Sequence, residues 1–205
     1  MPVRNIIFDL GNVIIKWDYK SILQTVFPDQ DFAILYKQMR SGWIDWNLGQ
    51  INQWQLMELY HREIGLDREK LTELFDLVMT SQVFIPGAYQ LLDDLNKANV
   101  PLYSITDNTY EIIEYHRTHS KFLHLFIDVV VSADLGILKP DPAIYLELLS
   151  RNNLQADECI FIDDIEANVV GARAVGIYAI LFEGTDQTIS MLRDQGFVFG
   201  DDDVS

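Results

Sequence analysis

Cysteine is nearly missing from this chain. Cys159 is the single one in 205 residues, so no internal disulfide can form. Its flanks, Glu158 before it and Ile160, Phe161 and Ile162 after it, describe a buried strand rather than a reactive thiol. That usage suits a reducing compartment. Cations are scarce too: 15 Lys and Arg stand against 31 Asp and Glu, a net charge of −16 at pH 7. Without clustered Lys and Arg the chain cannot neutralise a nucleic acid backbone or an anionic membrane surface, so neither is expected as a partner. Any phosphorylated ligand must be met by a few local groups. No stretch approaches the roughly 18 uninterrupted apolar residues of a membrane span, and one short apolar run leads straight to Asp9, so neither a span nor a signal peptide is expected and the cytoplasm is the expected location. There is no Gly-rich P-loop lysine motif, no dinucleotide fingerprint and no His-Glu-x-x-His helix, which disfavours Walker-type nucleotide hydrolysis, NAD chemistry and zinc proteolysis.

What is present is apolar matter in a regular order. Hydrophobic residues make up 49% of the chain, enough for a core, and the length fits one domain or a domain with a small insertion. Short apolar runs recur at Ile6 to Phe8, Pro101 to Ile105, Phe126 to Val131, Cys159 to Ile162 and Ile177 to Phe182, and predict five buried parallel strands. Helical periodicity lies between them. Gly87 to Ala98 should turn Tyr89, Leu91, Leu92 and Leu95 inward, Asp141 and Pro142 should start a helix running to Arg151, and Val169 to Val175 should stop at Gly176. The alternation predicts an α/β fold, a doubly wound, Rossmann-like parallel sheet covered on both faces.

One region breaks the alternation. Between Trp17 and Gln82 no strand is evident, but Phe32 to Met39, Trp54 to Ile64 and Leu71 to Met79 are amphipathic. This predicts an inserted helical unit over 17–82, with 1–16 and 83–205 forming the α/β core. All four tryptophans, Trp17, Trp43, Trp46 and Trp54, fall in the insertion, where they either fill its own small core or line a ligand pocket; the first is the default for large aromatics. Asp201 to Asp203 read as a charged tail.

In open α/β sheets ligands bind beyond the carboxyl ends of the strands, so the residue after each apolar run is the one to inspect. Those residues are Asp9, then Thr106 and Asp107, then Asp163 and Asp164, with Lys139 a short loop past the third strand. Each has a plain structural explanation, a turn, a helix cap or a solvated loop cation. Their coincidence at one sheet edge suits phosphoryl transfer through a covalent aspartyl intermediate. Asp9 would be the nucleophile, and Asp9 with Asp164 would hold Mg²⁺, which prefers one or two carboxylates with water and substrate phosphate. Lys139 and the Thr106 hydroxyl would meet the charge on the phosphoryl oxygens.

The segments Asp9-Leu10-Gly11-Asn12-Val13, Ser104-Ile105-Thr106-Asp107, Gly136-Ile137-Leu138-Lys139-Pro140 and Phe161-Ile162-Asp163-Asp164 with Asn168 resemble the four ordered motifs of haloacid dehalogenase-like hydrolases. They span most of the chain, and the insertion after the first motif resembles the small helical cap of one subclass. Within it the chain is similar to sugar-1-phosphate phosphatases and to the N-terminal phosphatase domain of epoxide hydrolases. The resemblance implies a Mg²⁺-dependent phosphatase of a small phosphorylated metabolite, a sugar phosphate by preference, in a monomer or weak homo-oligomer. It implies Asp9 as nucleophile, Asp9, Asp164, the Gly11 carbonyl and Asp163 around the metal, and Thr106, Lys139, Gly11, Asn12 and Asp107 around the phosphate.

Two positions depart from the family pattern. The phosphatases usually carry a second Asp, the general acid and base, where this chain has Gly11, a change that predicts slow turnover of poor leaving groups unless Asp163, Asp107 or Asp18 substitutes. Asp107 stands where Asn is usual and brings an extra carboxylate to the anion site. Metal-free dehalogenation and a weakened phospho-ligand-binding protein are the alternative readings; the Asp163–Asp164 pair opposes the first and Gly11 favours the second. His116, His119 and His124 have spacing that can bind Zn²⁺, but nothing completes a tetrahedral set, so they are expected on a surface helix.

Overall fold

Apolar runs of four or five residues form strands here, and the helical periods between them carry the chain back across the sheet. In the computed structural model, which describes residues 3–120 and 122–200, the elements in chain order are β1 (Asn5–Phe8), β2 (Ile15–Lys16), α1 (Tyr19–Val26), α2 (Phe32–Asn47), α3 (Gln53–Ile64), α4 (Arg68–Thr80), β3 (Val83–Phe84), α5 (Ala88–Lys97), β4 (Leu102–Thr106), α6 (Tyr110–His119), β5 (Asp128–Val131), α7 (Ser132–Leu135), α8 (Pro142–Arg151), β6 (Cys159–Asp163), α9 (Glu166–Ala174), β7 (Tyr178–Leu181) and α10 (Thr185–Asp194). The acidic stretch 201–203 lies outside the described residues. No helix among the described residues is long and apolar enough to cross a membrane.

The five long strands make a parallel sheet in the order β5-β4-β1-β6-β7. In β1 the pleat sends Ile6 and Phe8 into one apolar cluster and Ile7 into another. Neighbouring strands divide the same way: Leu102, Ile160 and Ile162 lie with Ile6, whereas Tyr103, Ile105, Cys159 and Phe161 lie with Ile7. Helix α5, with Leu91, Leu92 and Leu95, covers the first face, and α8, with Ile144, Tyr145 and Leu148, covers the second. A near-continuous apolar strand is what a sheet buried on both sides requires. Tyr89, predicted inward, is 39% exposed, because Ala88, Leu91, Leu92 and Leu95 already complete the inward stripe of α5.

The insertion leaves and rejoins the core through two short antiparallel strands, β2 and β3, paired Ile15 to Phe84 and Lys16 to Val83. Its four helices, α1 to α4, bury a cluster of their own around Leu23, Met39, Trp46, Leu56, Leu74 and Phe75, which Ile112 of α6 joins from the core side. The polar residues at the helix starts are caps: Asp18, Asp31, Asn52 and Asp67 each accept a backbone N–H of the first turn, and Asn52 forms a reciprocal box with Gln55. Two carboxylate bonds tie the insertion to the core: Glu111 of α6 accepts from the Trp46 indole N–H at 2.9 Å and from the Gln53 backbone N–H at 2.8 Å.

His116 is not on a surface. It is buried at 1% exposure, since it follows Ile112 by one helical turn on the apolar stripe of α6. Its Nε2 lies 2.7 Å from Gln82 Oε1 and its Nδ1 3.1 Å from Ser120 Oγ. An amide oxygen only accepts, so Nε2 carries the hydrogen and Nδ1 accepts from the serine hydroxyl. Burial pushes this imidazole down to about 4. His119 and His124 are exposed.

Helix α9 packs so closely on the loop after α7 that a Cβ built on Gly171 lies 2.8 Å from both Cβ and the carbonyl oxygen of Pro140. That contact backs Lys139 directly. Gly171→Ala should therefore destabilise the protein by about 1–3 kcal/mol through overpacking. Thermal or urea unfolding checks this, and an unchanged midpoint would show that the loop yields freely.

Candidate active site

The strand order places β1 in the centre, with β4 on one side and β6 on the other, so the carboxyl ends of three adjacent strands open on one point. Asp9 follows β1 directly and its backbone N–H donates to the Ile162 carbonyl at 2.9 Å, extending the ladder one residue beyond the strand. Thr106 ends β4 and Asp163 ends β6. Lys139 arrives from the loop between α7 and α8.

Lys139 is the hub of this convergence. Its side chain is 1% exposed, and its Nζ lies 2.8 Å from Asp9 Oδ1 and 2.7 Å from Asp163 Oδ2. A third donor reaches the Ile105 carbonyl at 3.3 Å, so all three ammonium hydrogens are directed, and the ring of Phe161 lies 5.6 Å from the charge. Asp163 is held in turn. Its carboxylate accepts the Asn168 amide at 3.0 and 3.1 Å and the Ile165 backbone N–H at 2.8 Å, and Asn168 is fixed by the Tyr145 hydroxyl donating to its carbonyl at 2.9 Å. The result is a buried polar chain, Tyr145–Asn168–Asp163–Lys139–Asp9.

Asp107, whose role the sequence left open, accepts the backbone N–H of Lys139 at 2.9 Å. It does not cap α6, whose start is capped by Thr109. Asn12 sits in the left-handed region at φ 55°, and its Oδ1 accepts the Trp17 backbone N–H at 2.9 Å, closing the turn between Asp9 and β2. The Thr106 side chain is buried and lines the pocket.

Charge is unevenly matched in this space. Burial pushes the Asp9 carboxyl up to about 7, with Lys139 pulling it down and Asp163 adding to the rise. Burial also raises Asp107 and Asp164, the latter assisted by the neighbouring Asp163. Burial alone would lower Lys139, but Asp9, Asp163 and Asp107 together hold its ammonium well above the usual range. Four carboxylates thus face one ammonium. Asp9, Asp163 and Asp164 each offer a carboxylate oxygen, and these oxygens lie within 4.8 Å of one another. A compact, oxygen-only donor set with surplus negative charge fits a hard divalent cation such as Mg²⁺.

The pocket over these groups has a volume of about 160 Å³. Asp9, Gly11, Asn12, Thr106, Asp107, Lys139, Asp164 and Asn168 line its floor, so the residues picked out along the sequence are gathered there, with Asp163 directly behind. Its roof comes from the insertion and hinge: Trp17, Trp43, Asn47 and Gln82. The tryptophans divide between the two expected roles. Trp17 and Trp43 line the pocket and also pack against the insertion's core, Trp46 is buried within that core, and Trp54 is 69% exposed and does neither. Asn47 and Gln82 were not foreseen; no motif marks them. Ser132 fixes this roof by donating to the Asn47 carbonyl at 2.6 Å while accepting the Asn108 N–H at 2.9 Å.

Residues 3–176 match the haloacid dehalogenase-like hydrolase family. A flavin mononucleotide hydrolase of Arabidopsis thaliana is 26% identical over 193 residues, covering 93% of this chain and 77% of its own. A sesquiterpene phosphatase of Aspergillus oryzae is 27% identical over 193 residues, covering 91% and 93%. Among solved structures, a HAD family enzyme of Bacteroides thetaiotaomicron superposes with TM-score 0.80 at 16% identity over 94% of this chain and all of its own. The complex of that enzyme with magnesium and inorganic phosphate gives 0.75 at 18% identity over 89% and 95%.

A pH dependence follows from Asp9. Its folded value, about 7, lies above the 3.8 of an unperturbed carboxyl, so the folded state binds the extra proton between those values. The stability this contributes is complete below pH 3.8 and lost as pH rises through 7. Melting temperature of the metal-free protein should therefore fall between pH 5 and about 8, and Asp9→Asn should flatten the fall. An identical slope in the variant would contradict the assignment.

Proposed function

The chain belongs to the haloacid dehalogenase-like hydrolases, and from that premise we propose that it is a Mg²⁺-dependent phosphomonoesterase of a small phosphorylated metabolite, with a sugar phosphate as the preferred class. The observation that carries the reading is the buried ammonium of Lys139 fixed against Asp9 at the floor of the pocket, which Thr106 also lines. An anion entering there meets one fixed cation and the Thr106 side chain next to a carboxylate nucleophile.

In the reaction an Asp9 oxygen attacks phosphorus, the bond to the ester oxygen breaks, and an aspartyl phosphate forms. Water then attacks the same phosphorus, releasing phosphate and restoring the Asp9 carboxylate. Lys139 and Thr106 hold the phosphoryl oxygens, and Asp163 and Asn168 keep Lys139 aimed. Asp9, Asp164, the Gly11 carbonyl and the nearby Asp163 would hold Mg²⁺, which supplies the positive charge that lets a phosphate dianion approach the carboxylates. The insertion acts as a cap that excludes water from the floor. The related flavin mononucleotide hydrolase and sesquiterpene phosphatase support phosphomonoester hydrolysis, and the magnesium and phosphate complex of the Bacteroides enzyme supports the metal. Metal-free dehalogenation is disfavoured, because a haloacid carboxylate would join four others around one ammonium.

Position 11 sets the rate. With glycine there, the leaving oxygen takes its proton from water. A Cβ built on Gly11 meets nothing within 4 Å, so a side chain can start there without a clash. Gly11→Asp should raise kcat on alkyl phosphates by about 10²-fold, the low end for a positioned acid–base group, with little change on p-nitrophenyl phosphate, whose leaving group needs no proton.

Phosphate release from p-nitrophenyl phosphate and hexose 1-phosphates, followed with and without Mg²⁺, tests the function. Release should require the metal and vanish in Asp9→Asn, and Lys139→Ala should lower kcat/KM by about 10²–10³-fold. Undiminished release by Asp9→Asn would reject the nucleophile.

A further inference from the structure

The pocket that holds the proposed chemistry carries one positive side chain, Lys139, among its lining residues. That ammonium is already shared by Asp9 and Asp163, and its backbone N–H is taken by Asp107. Among the described residues nothing positive lines the roof, where a leaving group must sit. Trp17 and Trp43 offer aromatic faces, with ring centroids 5.7 Å apart, and Asn47 and Gln82 offer neutral amides. Arg40 lines a separate cavity that shares only the Trp17 and Trp43 walls with this one. The cavity is also small, about 160 Å³ against the roughly 300–1,000 Å³ of sites for drug-sized ligands.

We infer that the roof selects the monophosphate of a small uncharged alcohol and rejects substrates that carry a second anionic group. The reasoning deepens the phosphomonoesterase reading and rests on it. One phosphate is accommodated by Lys139 and Thr106. A second phosphate or a carboxylate on the leaving group would lie between tryptophans and amides, above a floor with three carboxylates in surplus, and would give up its hydration without gaining a cation. Sugar-like alcohols suit this surface: their C–H faces stack on indole rings, and neutral amides satisfy their hydroxyls.

Matched pairs test the selection. Glucose 1-phosphate against glucose 1,6-bisphosphate, and phenyl phosphate against 4-carboxyphenyl phosphate, differ by one anionic group on the leaving alcohol. Wild-type protein with Mg²⁺ should show kcat/KM lower by at least about tenfold for the charged member of each pair, the scale of a like-charge juxtaposition without a partner. Asn47→Lys, which places a cation in the roof, should shrink that ratio several-fold. Calorimetric binding of the same esters to Asp9→Asn gives a ranking that needs no turnover, and the uncharged member should bind tighter. If no ester is hydrolysed but this ranking holds, the phosphatase reading fails and the selection stands. Equal or better use of the charged members, a ratio that Asn47→Lys leaves unmoved, or calorimetry that shows no preference or no binding overturns the inference.

Discussion

A single buried ammonium organises this molecule. Lys139 lies between the carboxylates of Asp9 and Asp163, at 2.8 and 2.7 Å, with its side chain 1% exposed. Taking charges out of water costs several kcal/mol per ion, and a buried pair often contributes less to stability than apolar residues of the same shape would. Its persistence here fits chemistry rather than stability. The surrounding carboxylates keep the lysine charged against the pull of burial, while burial keeps Asp9 high enough that Asp9 and Lys139 respond to each other and to whatever anion or cation enters. Removing Lys139 leaves Asp9 and Asp163 buried without their cation, whereas removing Asp9 leaves Lys139 still paired with Asp163.

The sheet makes this arrangement possible. With β1 central and β4 and β6 beside it, three strand ends deliver Asp9, Thr106 and Asp163 side by side, though they are separated by long crossovers. Pleat and register decide which side chains face the two apolar layers, and the polar residues begin where the ladder ends. Behind the lysine, Gly171 allows α9 to approach Pro140 closely, and Asn168 on the same helix holds Asp163. One helix thus supplies both the steric backing and the hydrogen bonds that aim the cation. Above the floor, Glu111 and Ser132 fasten the helical insertion through Trp46, Gln53 and Asn47, tying the pocket's two walls together.

The five core strands and the floor of the site were legible because two simple periodicities coincide. Apolar runs mark strands buried on both faces, and in a parallel sheet the residue after each run faces the ligand. Asp9, Thr106 and Asp163 meet as that rule requires, and Lys139 joins them from the loop between α7 and α8. What was hidden depends on packing that no local pattern encodes. Gln82 and Asn47 reach the pocket only because a hinge and a helix end fold back over the sheet. Trp17, Trp43, Trp46 and Trp54 look alike in sequence yet separate into pocket wall, core and surface. His116 was misplaced although its spacing from Ile112 carried the signal; a histidine on an apolar stripe is buried when an acceptor such as the Gln82 amide is within reach. Strands β2 and β3, two residues each, are too short to show a period.

Chemically the account reduces to one bond. Asp9 is proposed to carry a phosphoryl group transiently while Lys139 and Thr106 hold its oxygens, and Gly11 leaves the reaction without a side-chain acid at the leaving oxygen. The most direct measurement is rapid acid quench of the protein turning over a phosphate ester with Mg²⁺, followed by mass spectrometry of its peptides. The account predicts one phosphoryl group, on the peptide bearing Asp9 and absent from Asp9→Asn. A phosphoryl group on any other residue, or steady phosphate release with no phosphorylated Asp9 at any quench time, would contradict it.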